Sequence, residues 1–221
     1  MPMHMFFDPI RFIPELGYTL VIFILCFLVF FKTKEVYALT KHKGVQFFRY
    51  AFFFFGLSYA ARLFLFLVVF GNTLLFDALI HPKMLMPVFS LLVAYLSTMA
   101  ILCLMYSSLS KKIDSEHFLV FANVLALVIA VIAFVSRSPL LIVLIQLVLL
   151  LVTCVLGFMK PSKKRFSTVK ILYVLIGAFW LFNLLALETK RLLPFEMKLV
   201  FQALSLIVFG FIYYKVVKWA P

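Results

Sequence analysis

Acidic side chains are scarce in this chain: eight Asp and Glu stand against 21 Lys and Arg, leaving a formal charge of +13 at pH 7. Inside the long apolar runs no two carboxylates pair, which excludes aspartyl-type intramembrane catalysis and the buried-acid relay of proton-coupled carriers. The metallopeptidase pattern H-E-x-x-H is absent, and His42 and His117 lack partners at ligand spacing, so no enzymatic activity is expected. Ser205 to Phe209, midway along the last apolar run, offers no lysine for a retinal Schiff base. The few cysteines, Cys26, Cys103 and Cys154, all lie within apolar runs and read as free buried thiols rather than a disulfide framework.

What the chain has in abundance is hydrocarbon. Its apolar share of 66% and mean hydropathy of +1.17 exceed the roughly half expected of a soluble domain. A membrane span takes about 20 mostly apolar residues. Seven stretches qualify, at 16–31, 47–70, 88–109, 118–135, 140–159, 169–187 and 195–217. The expected fold is an all-α, seven-helix multi-pass bundle of the cell membrane, one domain over 1–221, with loops too short for a folded extramembrane domain and no cofactor. Asp8, Arg11 and Glu15 precede the first run, and no small-x-small cleavage site follows it, so that helix is expected to stay. Pro14, Pro87, Pro139 and Pro194 stand at the starts of the odd-numbered spans, where a proline at the first turn loses no helical bond.

The cations are unevenly shared. Alternating the connections between two sides puts fourteen Lys and Arg on one and six on the other, with Arg62 inside a span. Cationic loops stay cytoplasmic, which predicts the N-terminus outside and the C-terminus inside. Split among short juxtamembrane segments, these cations make no platform for nucleic acid; anionic lipid head groups are their expected partners. The basic stretches from Lys32 to Arg49 and from Lys160 to Lys170 are the candidate contact surfaces for a separate signalling protein.

Arg62 is the residue that asks for a function. It stands within an apolar run from Tyr50 to Phe70, where a charge is costly unless it faces the protein interior or water. Counting depth along each helix gathers Ser58, Tyr59, Gln146, Trp180, Asn183, Gln202 and Ser205 near it, with Tyr18, Thr19, Tyr95, Ser97 and Thr98 at similar depths. Ser58 and Arg62 are four residues apart; Gln202 and Ser205 share a helix face, as do Trp180 and Asn183. The expectation is an outward-facing polar pocket for a small ligand or lipid, with Arg62 meeting an anion. The bland alternative is interhelical hydrogen bonding by the uncharged members. Glu15 and Glu188 are the nearest acids and hence the candidate ion-pair partners of Arg62. A soft-metal site built from His4, Met5, His81, Met84 and Met86 is a weaker alternative, since no intramembrane relay continues it.

Cys26 to Leu63, with Gly44, Phe47, Arg49 and the aromatic run ending Tyr59-Ala-Ala-Arg62, resembles the first hairpin of the seven-helix sensor regions of some prokaryotic histidine kinases. That resemblance implies an N-out bundle receiving ligands from outside. The chain departs from it in lacking a tryptophan in the second helix and an output domain after Trp219, so a separate effector would be needed. The seven-helix plan also resembles small sugar-type facilitators of 3 + 1 + 3 design, without their paired Pro-Gln signature. A short echo, C-x-L-x-F-x-K at 26–32 and 154–160, would suit two such three-helix units, although a background this apolar favours coincidence. The main reading is a receptor or sensor-like module; a transporter or an accessory subunit of a membrane complex is the alternative.

Overall fold

A computed structural model describes residues 9–74, 82–110, 114–136, 139–159, 168–192 and 195–219. They form seven helices: α1 (Pro9–Thr40), α2 (Lys43–Leu74), α3 (Pro82–Leu109), α4 (Ser115–Ser136), α5 (Pro139–Met159), α6 (Thr168–Leu192) and α7 (Phe195–Trp219). Six contain segments long and apolar enough to cross a membrane, whereas α6 contributes a shorter one, Lys170–Ala186. The seven-helix expectation is met by seven helices, six of which qualify as membrane spans among the described residues.

Most helices outrun their apolar stretches. Strong helix formers such as Lys32, Lys34, Glu35 and Ala38 carry α1 to Thr40, and the Thr33 and Thr40 hydroxyls donate to the carbonyls of Val29 and Val36. The basic loop expected between Lys32 and Arg49 is thus two helix ends around Lys41 and His42, with Lys41 in the left-handed region at φ 47°. Of the stretch between Lys160 and Lys170, only residues 168–170 are described. The longer helices also move two prolines: Pro14 and Pro87 lie inside α1 and α3 rather than at their first turns.

The α1–α2 turn is pinned to the end of α3. Ser107 Oγ donates to the Gly44 carbonyl at 2.7 Å. A Cβ on Gly44 would come within 2.7 Å of Ser110 Oγ and 2.9 Å of His42 Nδ1, so a larger residue would push those side chains aside. Beside it, Asp114 caps α4: its Oδ1 accepts from the Ser115 N–H at 2.6 Å and its Oδ2 lies 3.3 Å from His117 Nδ1. The Ser115 bond, then His117, holds the Asp114 carboxyl below the usual carboxylate range. A lowered folded pKa stabilises the fold above the ordinary carboxylate pKa, and that contribution disappears as pH falls through the lowered value. Asp114→Asn should therefore flatten the acid limb of a melting-temperature profile between about pH 5 and pH 3. An unchanged limb would assign acid sensitivity to other carboxylates.

The helices close a ring. α1 packs on α2 and α7, α7 on α6, α6 on α5, α5 on α3, and α3 on α2, while α4 lies outside against α3 and α5. On α4 the buried Ala122, Ala126 and Ala130 form a stripe at four-residue spacing, letting its backbone approach closely. Its opposite face, with Val120, Val124 and Val131, is exposed apolar surface suited to lipid tails. Inside the ring is aromatic packing: Phe55 of α2 lies 5.5 Å from Phe179 and 4.5 Å from Trp180 of α6, and Phe179 lies 4.7 Å from Phe209 of α7.

Candidate functional site

α2 and α6 run parallel and meet through Phe55, whose ring touches both Trp180 and, at 5.1 Å, Tyr59. This sets Tyr59 and Trp180 at one level. One turn further toward the N-terminal end of the bundle come Arg62 on α2 and Asn183 on α6. The Arg62 guanidinium lies 4.8 Å over the Tyr59 ring, a cation–π contact that keeps a half-buried charge attractive to its surroundings. The Tyr59 side chain is wholly buried; its hydroxyl makes no well-formed hydrogen bond, its polar neighbour being Tyr18 of α1 with ring centroids 6.3 Å apart, and Asn183 Oδ1, in a residue 3% exposed, is also unbonded. Buried polar atoms are almost always bonded, because an orphan forfeits its hydration. Two such atoms on successive turns of helices that meet at Phe55, with an arginine on one of them, make this the strongest candidate for a binding site.

The other expected members disperse. Gln146 belongs to a different seam, its Nε2 donating to Ser97 Oγ at 2.7 Å and lying 3.4 Å from Thr98 Oγ1. The reason is ring order: α5 packs on α3, not on α2. Ser58 donates to the Phe55 carbonyl of its own helix. Ser205 shares a 2.8 Å hydrogen bond with Tyr18 across the α1–α7 seam and donates to the Gln202 carbonyl. Gln202 is buried one turn away.

The ion-pair expectation is corrected for Glu15, which pairs with Lys198 of α7 instead of Arg62. With side chains only 22% and 12% exposed, these two are a half-sheltered pair, so Arg62 is not alone as a sheltered charge. Among the described residues no carboxylate lies within ion-pair reach of Arg62. Glu188 lies outside the described side chains, as do His4, Met5, His81 and Met84; Met86 is half exposed. Among the described residues no cluster of His, Cys, Asp or Glu is grouped to hold a metal.

Two features escaped the sequence reading. Tyr95 donates to Asn123 Oδ1 at 2.6 Å, tying α4 to α3, and only the lone amide in an apolar run signalled it. A cavity of about 280 Å³ opens between α2, α3 and α4, lined by Phe47, Phe54, Met99, Cys103 and Phe118 among others. It is apolar and contains none of the expected pocket residues.

A protein of Archaeoglobus fulgidus, described only as uncharacterized, is 33% identical over 217 residues, covering 95% of this chain and 94% of its own length. The chain belongs to that protein's family. The match is long enough to take in all seven helices, so the family shares the whole bundle rather than one hairpin. No family model matches the chain. No solved structure matches it either.

Proposed function

We propose that this membrane bundle is a receptor-like binding module, N-terminus outside, whose ligand is a small anion or anionic head group held between α2 and α6. One observation carries the reading: Arg62 over Tyr59 on α2, and the unbonded Asn183 side-chain oxygen one turn beyond Trp180 on α6, lie on helices that meet at Phe55. A guanidinium and a phenol donate to an anion's oxygens, and the amide oxygen accepts from a donor elsewhere on the ligand. The excess of cations toward the C-terminal end supports the orientation, which opens the cluster's nearer end to the outside. The chemistry on offer is recognition; no described group is arranged as nucleophile and base.

Gently purified protein examined by native mass and lipid analysis, wild type beside Arg62→Gln, tests this. The wild type should retain an anionic small molecule or lipid, and the variant should lose it by about tenfold or more while staying folded. Equal retention would remove Arg62 from any binding role. A stoichiometric membrane protein and no small ligand would make the chain an accessory subunit instead.

A further inference from the structure

The ring can be traversed twice. Pairing α1 with α5, α2 with α6 and α3 with α7 exchanges every contact around it: α1 on α2 becomes α5 on α6, α2 on α3 becomes α6 on α7, and α3 on α5 becomes α7 on α1. The residue register follows. Aligning Cys26 with Cys154 puts buried Tyr18, Ile22 and Val29 on buried Gln146, Leu150 and Gly157. Aligning Gly56 with Gly177 puts buried Phe55, Ser58 and Tyr59 on buried Ile176, Phe179 and Trp180. Arg62 then falls on Asn183.

Specific contacts repeat as well. A Cβ on Gly56 would meet Cys26 Cβ at 3.1 Å, and one on Gly177 would meet Cys154 Sγ at 2.8 Å, so each unit packs a cysteine against a glycine. Tyr18 and Gln146, equivalent in this register, each reach a hydroxyl across a seam, Tyr18 to Ser205 at 2.8 Å and Gln146 to Ser97 at 2.7 Å. A ring of helices in chain order exchanges its neighbours under this pairing whatever its sequence, and helical periodicity repeats burial; the matched cysteine–glycine contacts are what neither dictates. The C-x-L-x-F-x-K echo at 26–32 and 154–160 falls in the same register.

We infer that α1–α3 and α5–α7 are two parallel copies of one three-helix unit, strapped by α4, and that the Arg62 cluster is a transport site between them for a small carboxylate bearing a hydroxyl or ammonium donor. The substrate half rests on the ligand reading above; the duplication does not. A site shared by two rigid units is exposed to one side and then the other when the units rock, and only the seams must break. Here the site takes its cation and phenol from one unit and its amide from the other. Carboxylate chemistry suits Arg62 and Tyr59, while Asn183 Oδ1 calls for a donor on the same molecule. The seam bonds by side chains, Glu15–Lys198, Tyr18–Ser205 and Gln146–Ser97, latch the N-terminal half. Toward the other end the units meet by Phe52 on Phe209 and by the Tyr173 hydroxyl on the Leu104 carbonyl.

Purified full-length protein, in detergent for binding and in lipid vesicles for uptake, would be given radiolabelled lactate, alanine and acetate. Lactate or alanine should bind and enter saturably, acetate about tenfold less well, and Arg62→Gln should cut both readouts about tenfold or more. Ser205→Ala and Gln146→Leu should each change the uptake rate about threefold or more with binding nearly unchanged. Both should fold, since alanine favours helix and Ser97 keeps its backbone acceptor. Binding without uptake overturns the carrier and leaves the receptor reading standing. Uptake untouched by Arg62→Gln overturns the site. No binding and no uptake of any probe overturns both. One silent seam beside one decisive seam overturns the equivalence of the two units.

Discussion

Gly157→Ala should destabilise the bundle by about 1–3 kcal/mol, whereas the same substitution at Gly210 should be neutral or stabilising by up to about 1 kcal/mol. Both residues are in helix interiors, so both gain the same intrinsic propensity from alanine. Their surroundings differ. A Cβ at position 157 would sit 2.8 Å from Tyr173 Cγ and 3.0 Å from Cδ1, and at position 210 it would meet nothing within 4 Å. Tyr173 cannot yield easily: it is 2% exposed and its hydroxyl reaches the Leu104 carbonyl at 3.4 Å. In lipid, where burying apolar surface between helices gains little, close backbone approach is a larger share of what holds helices together. Reversible unfolding in mixed detergent would measure the difference between the two variants. Equal effects would mean that α5 and α6 do not pack at Gly157.

The helices were legible because membrane spans announce themselves in bulk composition, and each apolar stretch lies inside one observed helix. Their ends were not. Lys32, Lys34 and Glu35 look like a loop to hydropathy, yet they favour helix, and α1 runs on to Thr40. Arg62 and Tyr59 were legible together because three residues along a helix brings side chains to one face. Glu15 with Lys198, 183 residues apart, was not, since spacing along one helix says nothing about which helix faces it. Gln146 shows the same limit: its depth and polarity matched the Arg62 group, but its neighbour is α3. The repeat was visible only as four matching letters. Its substance is the matched cysteine–glycine contact of the two units, and contacts are a property of the fold.

Tyr59→Phe should raise the stability of the ligand-free protein by about 1–3 kcal/mol while weakening ligand binding about tenfold. The ring is retained, and with it the packing on Phe55 and the Arg62 guanidinium above its face. Only the hydroxyl goes, and that atom is buried without a partner. An orphaned buried polar group costs stability, so a protein keeps one where a bound molecule completes it. Tyr18→Phe is the control, because that hydroxyl already bonds Ser205 and its loss should give no gain. Detergent unfolding of both variants, with and without the molecule that co-purifies with wild type, separates the cases. A stability loss in ligand-free Tyr59→Phe would mean that the hydroxyl is satisfied within the bundle, and Arg62 would then have to hold an anion without it.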